Sequence, residues 1–267
     1  LAAVSGIALD GDLLRRALVT DLTWWRGVEV LAATGSTNAD LAARARSGAA
    51  APQALLTGNQ TAGRGRLDRR WVAPPDSGIA CSVLLRPARP VERWTWLPLL
   101  TGVAVVAAVR AATGVDAVLK WPNDVLTRAD ERKLCGVLVE RVETPDGPAC
   151  VVGMGLNVAL TADQLPVPTA TSLALAGATA LDRTDLALAL LRAVERAVRA
   201  WETAADDTAL AAAYAERCVT LGRPVRVQLA TGDVTGTAEA VDAGGRLVVA
   251  TATGPRTFSA GDVVHLR

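Results

Sequence analysis

The stretch from Lys133 to Leu160 constrains the fold more than any other. Two apolar, β-branched runs, KLCGVLVERVE and ACVVGMGLNVAL, are separated by TPDGP. Pro, Asp and Gly between such runs specify a turn, and runs this apolar must be buried. They predict a hairpin in a central sheet. The shorter runs ALLTGN and GIACSVLLRP read as buried strands flanking a basic loop. The window Trp94–Val109 is broken by Pro98 and bounded by Arg93 and Arg110. It is shorter than the roughly 20 residues of a membrane-spanning helix. It reads as a core helix from about Trp96 to Ala112, ending at Gly114. STNADLAARARSG reads as a helix capped by Ser36 or Thr37, with Asp40 in its first turn and Gly48 as its stop. RTDLALALLRAVERAVRAWETAA is amphipathic, with Leu190, Val194, Ala197 and Trp201 on one face. Beyond CVTLGRP the texture changes to short strands with Gly turns, namely VRVQLA, GTAEAVD, LVVAT and VVHLR. They predict a small appended β-barrel, with a domain boundary near Thr220.

Charge and composition narrow the function. The chain is 51% hydrophobic and 21% charged, which supports a core and excludes a disordered chain. A net charge of +1 argues against general nucleic-acid or membrane-surface binding. Cys81, Cys135, Cys150 and Cys218 are scattered, with no C-x-x-C pair, so they read as reduced, buried thiols of a cytoplasmic protein. The single histidine, His265, leaves no material for a His-based triad or a multi-His metal site. The N-terminus, LAAVSGIALDGDLLRR, has no basic segment leading into an apolar run and so does not read as a secretory signal.

Against that near-neutral background, QTAGRGRLDRRW concentrates four arginines and two glycines. It matches neither a P-loop nor a dinucleotide fingerprint, since Asp68 stands at the third glycine position. Glycines allow close approach of an anion, and arginine forks match phosphate or carboxylate oxygens. A solvated Arg-rich turn explains the composition equally well. Four arginines from Arg64 to Arg70 repel one another, so the loop is expected to be mobile until a ligand phosphate supplies counter-charge. KWPNDVL places Asn123 and Asp124 beside a proline, as a site or as a tight turn. Lys133 precedes a buried strand, as an edge charge or as a group projecting into a site. Gly153 and Gly155, inside an apolar strand, indicate close approach of a ligand or a β-bulge. With no acidic dyad, Cys–His pair or metal cluster, these cationic and amide groups suit phosphoryl-type transfer to a carboxylate, where positioning and charge stabilisation dominate.

Taken in order, GSTNAD, TGNQTAGRGRLDRRW, KWPNDVL, KLCGVLVE and GMGLNV resemble the biotin protein ligase family. LGRPVRV, VDAGGRLVV and GDVVHLR resemble that family's small SH3-like C-terminal barrel. The likeness covers nearly the whole chain from about Leu31. It implies an α+β fold: a catalytic domain over residues 1–219 with a mixed sheet flanked by helices, like biotin/lipoate ligases and class II synthetases, and an SH3-like domain over 220–267. The implied reaction has two steps. Biotin and ATP give biotinyl-5′-AMP and pyrophosphate, and a lysine of a biotin carboxyl carrier domain then takes the biotin.

The resemblance also implies roles. Ser36, Thr37, Asn38 and Gln60 would line the biotin head, with Gly153 and Gly155 as the pocket floor. Gly63, Arg64, Gly65 and Arg66 would fold over biotin and the adenylate, with Arg64 and Arg66 facing the anions. Lys133 would stabilise the joining carboxylate and α-phosphate, with Arg66 as its catalytic companion. Arg69, Trp71, Lys120, Asn123, Asp124 and Asn157 would serve ATP, Trp71 beside the adenine. Asn123 and Asp124 would also hold Mg²⁺. The family usually has glycine where Asp68 stands, which stiffens the loop tip here, and a small Ala or Gly where Cys135 stands.

Thirty-five residues precede Ser36. They are too few for the winged helix-turn-helix of repressor-type members plus the family's first catalytic helix. The expectation is a monofunctional enzyme without DNA or membrane partners, monomeric or weakly dimeric. Two other readings compete. A lipoate–protein ligase uses the same adenylate logic, and an anion- or nucleic-acid-binding module would use RGRLDRR as an arginine patch. The GRGR and KWPND motifs weigh against the first. The low net charge weighs against the second, as does the near absence of aromatic groups beyond the tryptophans.

Overall fold

A computed structural model describes residues 8–20, 23–229 and 231–266. The first seven residues of the stretch read as lacking a secretory signal lie outside the described residues, as do Ala230 and Arg267 at the ends of two predicted strands.

The chain opens with helix α1 (Gly11–Leu18), strand β1 (Gly27–Leu31), helix α2 (Thr37–Arg46), and strands β2 (Gln53–Thr57) and β3 (Gly78–Leu85). A 3₁₀ segment (Val91–Trp96) leads into α3 (Leu97–Thr113), followed by strands β4 (Ala117–Lys120), β5 (Asp124–Thr127), β6 (Lys133–Val142) and β7 (Ala149–Asn157). Helices α4 (Arg183–Thr203) and α5 (Thr208–Arg217) then precede strands β8 (Pro224–Gln228), β9 (Val234–Val241), β10 (Leu247–Thr251), β11 (Gly254–Phe258) and β12 (Asp262–His265).

The first seven strands form one mixed sheet in the order β1-β2-β3-β7-β6-β5-β4, parallel only between β1 and β2. The predicted hairpin is β6–β7, and β7 is the central strand. Every residue of β3 is buried, which is why its sequence shows no polar alternation. Helices α3 and α4 cover one face of the sheet, and α2 covers the other through Leu41, Ala42 and Ala45 against Leu55, Leu84 and Val151. Ser36 caps α2 by accepting the amide of Ala39, and left-handed Gly48 follows its end. Gly114 ends α3 in a left-handed conformation, as its position predicts.

Together the 3₁₀ segment and α3 run from Val91 to Thr113, longer than the sequence indicated and sufficient in length and apolarity to cross a bilayer. Leu97, Leu99, Leu100, Val105, Val106 and Val109 are instead buried within the core. Strands β1, β4 and β5 and helices α1 and α5 were not anticipated; β4 and β5 are only four residues each.

The C-terminal unit is an antiparallel sheet in the order β11-β10-β9-β8-β12. Four of these strands match predicted runs. The fifth, GPRTF, was missed because it is an edge strand that buries little besides Phe258. Tryptophans fasten this sheet to the larger one: Trp96 Nε1 donates to the Ala243 carbonyl at 3.0 Å and Trp121 Nε1 to that of Gly245 at 3.3 Å.

Thr220 is fully buried at the junction. Its hydroxyl oxygen accepts from the Trp121 amide at 3.1 Å, so its proton is free to donate to His265 Nε2, also at 3.1 Å. Burial, reinforced by nearby Lys120 and Arg223, lowers the His265 pKa to about 4. The folded state therefore holds His265 neutral while the unfolded chain protonates near the ordinary value. This contribution to stability is complete above about pH 6.5 and is lost as pH falls towards about 4. Its size is reduced by the ring's partial exposure. We expect urea unfolding midpoints to fall across that window, and His265→Gln to flatten the dependence. An identical acid slope in the variant would show that the imidazole carries none of it.

Candidate active site

One cavity of about 540 Å³ spans the open end of the large sheet and reaches β12 of the C-terminal unit. It is within the size range of small-ligand sites. The N-terminus of α2, the arginine loop, the Trp121–Asp124 turn and the start of β6 converge on it. Every sequence-predicted site residue lines it except Gly63.

One end is neutral and polar. Ser36, Thr37 and Asn38 are nearly fully buried at the start of α2. Gln60 Oε1 accepts from the Thr37 amide at 2.9 Å and lies 3.1 Å from its hydroxyl. Thr37 Oγ1 lies 2.6 Å from Ser82 Oγ, and Ser82 donates to Asn38 Oδ1 at 2.6 Å. Asn38 Nδ2 donates to Glu140 at 2.7 Å. Ser82 and Glu140 were not anticipated: Ser82 sits in an otherwise apolar strand, and only strand register shows that it faces α2 rather than the core.

The other end is cationic. Lys133, the first residue of β6, places Nζ 2.6 Å from Asp124 Oδ1 across the β5–β6 pair. Burial lowers the pKa of Lys120; Asp124 opposes the shift, while Lys133 and Arg69 add to it. The Arg66 pKa is likewise lowered by burial, again opposed by Asp124. Several positive groups thus share one carboxylate, an arrangement with capacity for a polyanion. The edge-charge reading of Lys133 gives way to the projecting one. Asn157 is buried, donating to the Thr171 carbonyl at 2.9 Å, and lines the same cavity.

The arginine loop is a hairpin. Arg64 and Arg70 pair across it, and the Trp71 amide donates to the Gly63 carbonyl at 2.9 Å. At its tip the Arg69 amide donates to the Arg66 carbonyl around Leu67 and Asp68, both left-handed with φ of 53° and 57°. Two consecutive left-handed residues are the mark of a I′ turn, which favours Asn-Gly. Asp tolerates this conformation better than Leu does. The expectation that a ligand must supply the arginines' counter-charge needs correction, because the chain supplies much of it. Arg64 pairs with Glu140 at 2.9 Å, and Arg69 pairs with Asp262 on β12. Arg66 donates to Asn123 Oδ1 at 2.9 Å and to the Gly261 carbonyl at 3.2 Å.

The two floor glycines have separate purposes. A Cβ on Gly153 would overlap Asn38 Oδ1, and one on Gly155 would overlap the Trp71 indole. Strand β7 keeps regular register through both, so the bulge reading fails. Gly63 is off the cavity surface; a Cβ there would come within 2.5 Å of the Trp71 carbonyl oxygen and 2.8 Å of Gln60 Nε2. Its smallness lets the loop close on Gln60.

For a divalent cation the donor set is sparse. Among the described residues no group of three or more His, Cys, Asp or Glu side chains could hold a metal. Asn123 is the weaker candidate ligand: Oδ1 already accepts from Arg66, which leaves one lone pair, and Nδ2 donates to the Val137 carbonyl at 2.9 Å. Asp124 does fit, since its buried Oδ1 has no hydrogen bond beside the Lys133 contact. A single carboxylate suits Mg²⁺ carried chiefly by phosphate oxygens.

Residues 31–157 match the profile of the biotin/lipoate A/B protein ligase family, and residues 220–266 match the biotin protein ligase C-terminal domain. The chain is 44% identical to the biotin–[acetyl-CoA-carboxylase] ligase of Mycobacterium tuberculosis over 97% of its own length and 96% of the relative's. It is 29% identical to a bifunctional ligase/repressor of Bacillus subtilis, over 88% of this chain and 72% of that one. Among solved structures, the biotin protein ligase of Aquifex aeolicus in complex with biotin and ATP superposes with a TM-score of 0.75 at 27% identity, covering 91% of this chain and 99% of that one.

The fit of Asn38 over Gly153 leaves no room for even a methyl group. Gly153→Ala should therefore lower the urea-unfolding free energy by about 1–3 kcal/mol, the usual cost of overpacking. Adding Asn38→Ala should recover part of that loss, because the two changes share one contact. Strict additivity in this cycle would mean that the crowding lies elsewhere.

Proposed function

The chain belongs to the biotin protein ligase family, and we propose that its cavity activates biotin with ATP and delivers it to a lysine of a biotin carboxyl carrier domain. The observation that carries this reading is the joining of two unlike ends in one cavity, a neutral hydrogen-bonding end and a cationic end. A bicyclic urea with a carboxylate tail needs the first for its head and the second where its carboxylate meets a nucleotide. The C-terminal match and the relative's name favour biotin over lipoate.

In the first step a biotin carboxylate oxygen attacks the α-phosphorus of ATP. An O–P bond forms, the bond to the β-phosphate oxygen breaks, and pyrophosphate leaves. Lys133 and Arg66 stabilise charge on the oxygens being joined, and Lys120 and Arg69 help hold the phosphates. Asp124 orients Lys133 and, with phosphate oxygens, would hold Mg²⁺, which would neutralise the leaving pyrophosphate. Trp71, over Gly155, would flank the adenine, and Asn157 would lie near the nucleotide. In the second step the carrier's ε-amine attacks the acyl carbon, AMP departs with the electron pair, and the amine proton passes to solvent. The carboxylase in the mycobacterial relative's name supports a carboxylase carrier domain as the acceptor. We place the domain boundary near Thr220 and the reaction in the cytoplasm, where ATP and reduced thiols coexist.

Biotin-dependent ATP–pyrophosphate exchange tests the reading directly; its absence, with lipoate-dependent exchange in its place, would favour the lipoate alternative. Lys133→Ala should lower exchange by about 10²-fold, the usual consequence of losing one preorganised donor, with the unfolding transition retained. Near-normal exchange would remove Lys133 from the mechanism.

Arg66 ties the hairpin both to Asn123 and to the C-terminal unit. Arg66→Gly should loosen closure and release biotinyl-AMP faster than it slows its formation. Mixed with biotin, ATP and a bystander protein, the variant should biotinylate the bystander more than the unmodified enzyme does. Equal labelling would show that Arg66 is not a latch.

A further inference from the structure

We propose that Glu140, on β6, is a positioning residue that sets the donor and acceptor polarity of the pocket's urea-binding end; the inference rests on the biotin reading above. An ionised carboxylate only accepts hydrogen bonds. Glu140 Oε2 lies 2.7 Å from one terminal atom of the Asn38 amide, and the Leu138 carbonyl lies 3.4 Å from the same atom. That atom must be Nδ2, because an oxygen there would face two other oxygens. Asn38 Oδ1 is thereby turned to Ser82, which must donate to it. Ser82 has one proton, so its oxygen is left to accept from Thr37 at 2.6 Å. The Thr37 proton is then spent on Ser82, so none is left to donate to Gln60 Oε1, 3.1 Å away. Gln60 Oε1 is held by the Thr37 amide, and Nε2 remains its donor.

One charge therefore fixes the sense of a chain running from Glu140 through Asn38 and Ser82 to Thr37, while the Thr37 backbone amide orients Gln60 on its own. Together these leave acceptor capacity on Thr37 and Asn38 and a donor on Gln60. A cyclic urea has the complementary set, two N–H donors and one carbonyl acceptor. Arg64, 2.9 Å from the same Glu140 oxygen, supplies the charge that keeps the carboxylate in place. A neutral amide at position 140 could face Asn38 with either end, so both polarities would become accessible.

The experiment compares acids with and without the urea. In Glu140→Gln, we expect the KM for biotin in pyrophosphate exchange to rise about tenfold, as for loss of a charge-assisted hydrogen bond, with kcat and the KM for ATP within about twofold. Desthiobiotin, which keeps the urea, should lose inhibitory affinity in parallel. Octanoate, which shares only the carboxylate and an apolar tail, should not. Glu140→Asp keeps an acceptor-only group at shorter reach, so it should show the same urea-selective loss at smaller size, and it carries the test should the Gln variant not fold. Equal losses for octanoate and desthiobiotin would mean that Glu140 merely shapes the pocket, and no loss for either would mean that it has no role in recognition; both results overturn the proposal. Failure of the unmodified chain to catalyse biotin-dependent exchange is a separate result, which would sink the functional reading and this inference with it.

Discussion

Burial of β3 and β7 on both faces is the constraint on which the rest of the molecule depends. Helices cover both sides of these strands, so their middles must be almost entirely apolar. Neither strand carries a charged residue, and the cationic groups of the cavity stand at strand ends and on the loops that overhang them. Lys133 occupies the first position of β6, Asp124 the first of β5, and Asn157 the last of β7. Where a polar group does enter β3, at Ser82, it is paired on two sides. The two glycines of β7 follow from the same constraint. A buried strand can admit the Asn38 amide and the Trp71 ring only where it carries no side chain of its own.

Charge is distributed by the same economy. Four arginines on one hairpin would repel each other in isolation. Each of three is met by a group from a different part of the chain: Arg64 by Glu140 on β6, Arg66 by Asn123 in the Trp121–Asp124 turn, and Arg69 by Asp262 on β12. The hairpin is thus referenced to both ends of the pocket and to the C-terminal unit. Exposed pairs of this kind contribute little individually. Their value lies in geometry, since an anion entering the cavity meets arginines already aimed rather than free in solvent.

Much of this was legible in the sequence, and the failures have definite causes. Long periodic segments such as α4 and the β6–β7 hairpin were read correctly, as was the Gly114 stop, because burial and turn chemistry leave direct marks there. The four-residue strands β4 and β5 left no such mark. The residues that line the cavity were reached by resemblance more than by chemistry, since each motif alone had an ordinary structural explanation. The resemblance did not lead to Ser82, Glu140 or Asp262. Their importance arises from strand register and from contacts between segments 44 to 193 positions apart, as in Asn38–Ser82 and Arg69–Asp262. Asn123 is a different case: its place beside Asp124 suggested a metal ligand, whereas its amide is already bonded to Arg66 and Val137 and keeps one lone pair on Oδ1 for a cation.

The hairpin tip joins these threads. A I′ turn through Leu67 and Asp68 carries a backbone cost that Asn-Gly would avoid, of the order of 1 kcal/mol per residue. The turn offsets little of that cost itself, because Leu67 is largely exposed. The offset must come from contacts made only when the hairpin lies down: Arg66 on Asn123 and Gly261, Arg69 on Asp262, and the Trp71 ring on Gly155. Two of these partners, Gly261 and Asp262, belong to the C-terminal unit. The energy that holds the loop over the cavity is thus shared between the two parts of the chain. On physical grounds, then, the small C-terminal sheet helps to line the cavity and to hold the hairpin over it, and is more than an appendage.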